Sequence, residues 1–588
     1  MRQVLAVSKP RRFPSLRQWS QWGRLASGPE KRLMAGLLGT AVLCVAALGA
    51  RYVFTHRVET PAVGGEYVEA LVGEPQFINP LYAPANDVDA DIARLVYAGL
   101  LRRDASGALQ PDMAERWTLS QDGKVYTFTL RADATFHNGQ PLQARDVVFT
   151  MDALRNPLYR SPLSGAYQAA DVTAPDDRTV VFTLKQPSAG FLSTLTVGIL
   201  PADLWTDVAP RNVPLATYNL KPIGSGPFQF ETLTKDKNGS IRSYTVSRFA
   251  DHAGTAAYLE RVTFKFYGSP DDAAKALAAR TVEGVGYVQS DLEEDVGKHG
   301  VTLLRPSIPN ETALFFNQDR QPLFKSKAVR QAVALAVDRA ALVAKALDGH
   351  GTPVAGAVLP EALGSQPVLP VTAADITGAN KLLEDAGFPK MDGLVYRLSR
   401  KPAAATKTKP AEDPASVPPL SVTLTTVQRP EFARVAELIV TQLAAVGIQV
   451  QVEAVAQADL YRQVIEPRDY EFLLASVLYG AEPDPYPFWH SSQATATGLN
   501  LAGYANRKAD ALLEEARASL DPVQRAATYA EFQKLVAEDV PAVILYRPTY
   551  AYALADKIRG ADITRIATPA DRFNGIKDWY VKTRKTLK

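Results

Sequence analysis

A single cysteine, Cys44, in 588 residues rules out an intrachain disulfide and any cysteine-based metal site. Stability must then come from core burial. A chain of this length with 46% apolar and 22% charged residues can supply it, in two or more lobes rather than one core. The six histidines (His56, His137, His252, His299, His350, His490) form no HxH or HExxH pair, so no zinc motif is visible. A Gly-rich phosphate cradle, a GxSxG elbow and a fixed-period repeat are likewise missing. Nothing points to catalysis, and no catalytic residue, metal or cofactor is expected. An excess of one charge sign is also lacking, at 65 Lys/Arg against 62 Asp/Glu. That balance hides an asymmetry: residues 1–57 hold ten Lys/Arg and one acid, Glu30, and the remainder is mildly acidic at −6. A mildly acidic body gives no electrostatic case for a nucleic-acid partner.

Charge is absent altogether from residues 33–50, LMAGLLGTAVLCVAALGA, and Tyr52-Val53-Phe54 extend the apolar run beyond Arg51. A spanning helix needs roughly 20 such residues. Eight of the ten basic residues precede the run, so the positive-inside rule keeps residues 1–32 cytoplasmic and exports everything after about residue 55. Trp19 and Trp22 suit an interfacial belt. Two alternatives compete with an uncleaved anchor at 33–54. A signal peptide would end near Ala47-Leu48-Gly49 but has a shorter apolar core. A lipoprotein anchor would use Cys44, although bulky Leu43 precedes it and the apolar run continues past it.

Residues 55–65 read as a linker. Beyond them the chain alternates strands and helices. Residues 125–131, 180–184, 262–266 and 448–452 alternate as strands, while 327–348 and 431–446 carry apolar residues at helical spacing and end at Gly349 and Gly447. Helix followed by strand, repeated, predicts α/β layering. Residues 399–419, rich in Pro, Ala and Lys, read as a solvated loop.

Three turn-rich stretches are candidates for function. FHNGQPLQARDVVFT at 136–150 reads chiefly as a strand–turn–helix joint that accounts for His137. GSGPFQF at 224–230 places Gly226 either in a plain turn or against a ligand cleft. YGAEPDPYPFWHSS at 479–492 is the most informative: three prolines stiffen it, and it sets Glu482 and Asp484 among Tyr479, Tyr486, Phe488, Trp489 and His490. Aromatic rings beside fixed carboxylates suit a pocket for an amphipathic cation such as an α-ammonium group. The competing reading is a rigid loop whose rings fill a local core and whose acids face water.

The stretch 109–150 resembles the signature of bacterial extracellular solute-binding proteins of family 5, the peptide, oligopeptide and nickel receptors of ABC importers. It runs through Ala-Glu-x-Trp, Asp-Gly, a Tyr-x-Phe-x-Leu-Arg strand, Phe-His-Asn-Gly and Ala-x-Asp-Val. GSGPF at 224–228, FFNQDRQPLFKSKAVRQAVALAVDR at 315–339 and EPDPYPFWHSS at 482–492 extend the resemblance over roughly 66–588. It implies a two-lobed periplasmic-binding-protein-like α/β fold with an interlobe ligand cleft. Lobe I would take 66–305 with 541–588 returning to it, and lobe II would take 306–540. It further implies a receptor that closes on a di- or oligopeptide and hands it to an ABC permease. The alternatives are another solute (a sugar, a metal chelate, a cationic metabolite) or a non-transport sensor or surface protein. Peptide-binding members place an aspartate near the Pro-Asp-Pro segment against the peptide's amino terminus. Ala481 stands at that position here, with Glu482 as the substitute by chemistry and Asp484 as the second candidate. Tyr486, Trp489, His490, Gly226, Asn317 and Tyr82 complete the expected ligand contacts.

Overall fold

The computed structural model describes residues 27–289, 291–297, 300–406 and 410–587. The basic segment 1–26, with Trp19 and Trp22, and also His299, lie outside the described residues. The chain divides into two units, residues 1–62 with 582–588 and residues 63–581.

In the first unit the helix Gly28–Thr55 opens with a capping box in which the Ser27 amide donates to Glu30 at 2.9 Å. Its stretch Gly28–Gly49 is long and apolar enough to cross a bilayer, and none of it is buried by the rest of the chain. One residue past the helix, the strand Arg57–Ala62 pairs antiparallel with Lys582–Leu587. The expected linker at 55–65 therefore begins as a strand. Its ladder partner lies more than 500 residues away, so no local pattern could announce it.

In the second unit a seven-stranded sheet runs in the order Val301–Leu304, Tyr552–Ala555, Gly284–Gly286, Glu66–Val72, Arg261–Tyr267, Ile241–Arg248, Phe228–Lys235. A six-stranded sheet runs Gly351–Pro353, Ala542–Pro548, Asn310–Phe316, Phe472–Leu478, Ser421–Val427, Gln449–Val455. A four-stranded antiparallel sheet (Ala114–Leu119, Val125–Leu130, Thr179–Leu184, Ala170–Asp176) belongs to the first lobe. The chain passes between the two large sheets at 305–309 and again at 549–551. Ala542–Pro548 thus belongs to lobe II, and the return falls at residue 549 instead of 541. The physical reason is that this strand pairs with Asn310–Phe316 and is apolar on both faces.

Period-two alternation divides each central strand between two cores. Leu314, Phe316, Leu474, Val543 and Leu545 face one side of the six-stranded sheet, under the helix Pro430–Ala445. Ala313, Phe315, Leu473, Ala475 and Ile544 face the other, with Trp489 and Phe532. Strands covered on both faces read as continuous apolar runs. The helix expected over 327–348 is two, Lys327–Ala336 and Arg339–Ala346. The Asp338 carboxylate accepts from the Ala341 amide at 2.9 Å and so caps a new helix where apolar spacing alone shows no break.

Glu311, on the central strand Asn310–Phe316, is 1% exposed. Its Oε2 accepts from the Tyr479 hydroxyl at 3.0 Å, and its Oε1 has no partner among the described residues. Burial pushes its pKa up to about 8. Between the unfolded carboxylate value and pH 8 the folded state therefore holds a proton that the unfolded state has released. The contribution is favourable at low pH and is lost as pH rises through that window. Over about pH 5 to 8 the wild type should lose about 1.4 kcal/mol per pH unit relative to Glu311→Gln, in urea unfolding followed by circular dichroism. Parallel pH profiles for the two proteins would show that Glu311 does not titrate there.

Candidate functional site

The two crossings and the facing ends of the two large sheets enclose a cavity of about 650 Å³. Lobe I contributes the end of Glu66–Val72, the turn after Gly284–Gly286 and the start of the helix Asp87–Val96. Lobe II contributes Asn310, Thr312, Ser476 and the junction between the strand Ser421–Val427 and the helix Pro430–Ala445. Crevices outside the carboxyl ends of parallel strands, at a helix start, are the usual ligand positions in α/β sheets.

That junction carries most of the cavity's chemistry. Arg429 precedes Pro430 and is extended, φ −136° and ψ 141°, because a residue before proline avoids the helical region. Its guanidinium pairs with Glu431, hydrogen-bonds the Tyr287 hydroxyl, and stands 4.8 Å from the Tyr287 ring centroid and 5.7 Å from that of Phe432. The Tyr287 hydroxyl donates to Glu431 Oε1 at 3.2 Å. Tyr287 belongs to lobe I and holds φ at 55°, a conformation non-glycine residues rarely adopt. Nearby, His350 Nε2 of lobe II lies 3.2 Å from Glu293 Oε2 of lobe I, and Glu293 also pairs with Arg305. Two polar pairs therefore join the lobes at the cavity rim.

Beneath the lobe I wall lies a buried ion triad. Arg572 donates to Glu69 Oε1 at 2.9 and 3.1 Å and to Asp91 at 2.8 and 2.5 Å, with all three residues at most 3% exposed. The hydroxyls of Tyr67 and Tyr552 also donate to Glu69. Burial raises both carboxylates, Asp91 to about 6, against the downward pull of Arg572. A Cβ on Gly284 would stand 1.7 Å from the Tyr67 hydroxyl oxygen and 2.1 Å from Glu69 Oε2, so only glycine lets that strand pass the triad.

The residues named from sequence lie elsewhere; none of the eight lines this cavity. Glu482 reaches lobe I, accepting from the Ser193 hydroxyl and standing 3.5 Å from Arg103, which places it at a third interlobe contact. Asp484 stays within lobe II. It pairs with Arg517 at 2.7 Å, caps the Tyr486 amide at 3.0 Å and accepts from the Tyr529 hydroxyl at 3.4 Å. The Tyr486 ring stacks on His490 at 4.1 Å and receives the Arg517 guanidinium at 4.0 Å. Trp489, 1% exposed, fills the lobe II core beside Phe315 and Tyr504. His490 accepts from the Ser492 amide at 3.1 Å through Nδ1. Asn317 is a turn residue, accepting from the Asp319 and Arg320 amides and donating to the Arg468 carbonyl at 2.9 Å. The Tyr82 hydroxyl donates to the Tyr159 carbonyl at 2.9 Å within lobe I, and burial pushes its pKa up to about 12. Gly226 packs against the chain at Leu95–Val96, where a Cβ would stand 2.4 Å from the Leu95 carbonyl oxygen. His137 sits in the same joint. Its Nδ1 accepts from the Gly224 amide at 3.2 Å, and burial lowers its pKa to about 4.

Sequence reading passed over Arg429, Glu431, Tyr287, His350 and Arg572. Only Gln-Arg-Pro-Glu at 428–431 carried a local signal, an Arg-Pro step between an apolar strand and an amphipathic helix. If Glu482 acts through closure, Glu482→Gln and Arg103→Gln should each weaken solute binding about two- to tenfold. The double variant should be no worse than either single one, because each removes the same partly buried pair. Isothermal titration checks this, and additive losses would separate the two residues.

Comparison with known proteins converges on one family. Residues 108–500 match the family model described as bacterial extracellular solute-binding proteins, family 5 Middle. The oligopeptide-binding protein AppA of Bacillus subtilis is 26% identical over 535 residues, which is 89% of this chain and 93% of that protein. The structure of that protein in complex with a nonapeptide superposes with a TM-score of 0.71 at 26% identity, over 89% of this chain and all of that one. NikZ from Campylobacter jejuni, solved in complex with Ni(L-His), shares the fold at a TM-score of 0.71 and 23% identity, over 88% of this chain and 99% of that one. With two thirds of the sequence inside the family model and the two-sheet, two-crossing architecture beneath it, this chain belongs to the bacterial extracellular solute-binding proteins of family 5.

Proposed function

We propose that the chain is the peptide receptor of an ABC importer, held at the outer face of the membrane by the uncleaved helix Gly28–Thr55, and that the peptide lies in the interlobe cavity. The observation that carries this reading is a cavity of about 650 Å³ bounded by both lobes and both crossings. That volume falls within the range of sites that enclose small ligands. Its walls offer strand edges and side chains of both charge signs, which suits a zwitterionic guest. The likeness to the oligopeptide-binding protein of Bacillus subtilis favours a peptide over a sugar or a chelate.

In this reading Arg429 and Glu431 receive the guest. They already hold each other and Tyr287, so a peptide carboxylate or ammonium exchanges one partner for another without leaving a bare charge. Glu482 serves closure through Arg103 and Ser193. Asp484, Tyr486, Trp489, His490 and Asn317 hold its loop and the strand end beneath it, and Tyr82 and Gly226 shape lobe I. Closure is favoured by the guest only to the extent that it binds the closed state better than the open one.

A thermal-shift screen of the full chain in detergent against peptides, sugars and nickel–histidine tests the ligand class. Peptides at about 100-fold over Kd should stabilise it by about 2.7 kcal/mol. Arg429→Ala should weaken the best peptide at least tenfold while leaving the ligand-free melting temperature within about 2 °C. Stabilisation by a sugar or a chelate with no peptide response would refute the peptide assignment. For the anchor, the mature protein should keep its full N-terminal mass and stay with the membrane through alkaline carbonate extraction. Release at about residue 50 would replace it with a cleaved signal peptide.

A further inference from the structure

Charge in this chain segregates by structural unit. Residues 1–62 hold ten Lys/Arg against Glu30 and Glu59, and residues 582–588 add Lys582, Arg584, Lys585 and Lys588 with no acid. The first unit therefore carries +12, and residues 63–581 carry −9. Part of that positive charge is laid out on the ribbon formed by Arg57–Ala62 and Lys582–Leu587. The first strand is neutral, Arg57 offsetting Glu59; the three cations of the second are the surplus. Lys582, Arg584 and Lys585 are exposed, and none forms an ion pair among the described residues.

The register sorts these side chains by face. Ala62 pairs with Lys582, Thr60 with Arg584 and Val58 with Thr586, so Lys582, Arg584 and the 43% exposed Val58 share one face that carries no acid. Glu59 and Lys585 stand opposite each other on the other face.

Position follows from helix geometry. The uncharged run 33–50 is about 27 Å long, matching a hydrocarbon core of about 30 Å. Arg51 to Thr55 rise about 8 Å more, and His56 alone joins the helix to the ribbon. The ribbon therefore starts within about one Debye length of the headgroups, roughly 10 Å at 0.1 M salt. Solute capture gives no reason for residues 582–587 to form a cationic ribbon with the segment that follows the apolar helix.

We propose that this ribbon is a docking surface for anionic lipid headgroups of the extracytoplasmic leaflet, with Lys582 and Arg584, on the face that carries no acid, as its contacts. It rests on the reading that the helix stays in the membrane. Docking fixes the start of the exported chain at the surface and shortens its tether.

The test places the full chain, with Cys44→Ala and an environment-sensitive dye on Val58→Cys, in nanodiscs of phosphatidylcholine with or without about 30% phosphatidylglycerol. The dye should shift to the blue with phosphatidylglycerol and return on raising NaCl from 0.05 to 0.5 M (about 14 Å to 4 Å of screening). Lys582→Gln and Arg584→Gln together should lower the ratio of docked to undocked ribbon on the order of thirtyfold. The variant's unchanged melting temperature shows that the body is folded. Co-elution with the nanodiscs reports the anchor alone. Were the anchor lost in both proteins, flotation of the released chain on the same two lipids would decide the ribbon separately. Equal emission in the two lipids, an undiminished shift in the double variant, or a shift that needs an added anionic cell-wall polymer would each overturn the proposal.

Discussion

Apolar burial in this protein is completed inside each lobe, and that constraint governs everything between the lobes. The six-stranded sheet is covered on both faces by its own helices, and the strands of the seven-stranded sheet are likewise divided between two cores. Two short crossings, 305–309 and 549–551, are the covalent links between the sheets. The interlobe space holds a cavity and polar contacts that include Tyr287 with Arg429 and Glu431, Glu293 with His350, Arg103 and Ser193 with Glu482, and the Ala189 amide donating to the Arg517 carbonyl at 3.1 Å. Partly exposed pairs of this kind contribute little individually. A small differential affinity for the closed form can therefore move the lobes, which is the physical condition for a receptor that opens and closes on a guest.

The second crossing needs an anchor, and the triad of Arg572, Glu69 and Asp91 provides one. It ties the segment after the return to the first strand of the body and to the helix Asp87–Val96, with Arg94 and Asp571 adding a pair at 2.8 Å. Two carboxylates share one guanidinium beneath the lobe I wall of the cavity, and burial raises the pKa of both. Removing Arg572 would leave two buried carboxylates without a cation, which is far more costly than the net contribution of the intact cluster.

Much of the fold was legible because burial leaves a periodic trace. The strands at 125–130, 179–184 and 261–267 and the helix ending before Gly447 follow from residues within a dozen positions of one another. The helix break at Val337–Asp338 was missed because its cap is a single side chain inside an apolar rhythm. The candidate site was far less legible. The loop at 479–492 drew the eye with two acids and five large groups, yet Asp484 is held by Arg517 and Trp489 is core. The Arg429-Pro430 step marks a strand-to-helix junction but says nothing locally of the cavity that the junction lines.

The sequence by itself determined the uncharged helix, the α/β alternation, the absence of a cysteine framework and the family signature. Each of these is written in neighbouring residues. Tertiary structure alone decided which carboxylates face the cavity, which touch the other lobe and which hold turns. It alone brought Lys582–Leu587 beside Arg57–Ala62 and Arg572 onto Glu69. Those contacts join residues some 500 positions apart, where pairing depends on the geometry of both cores and leaves no periodicity in either segment.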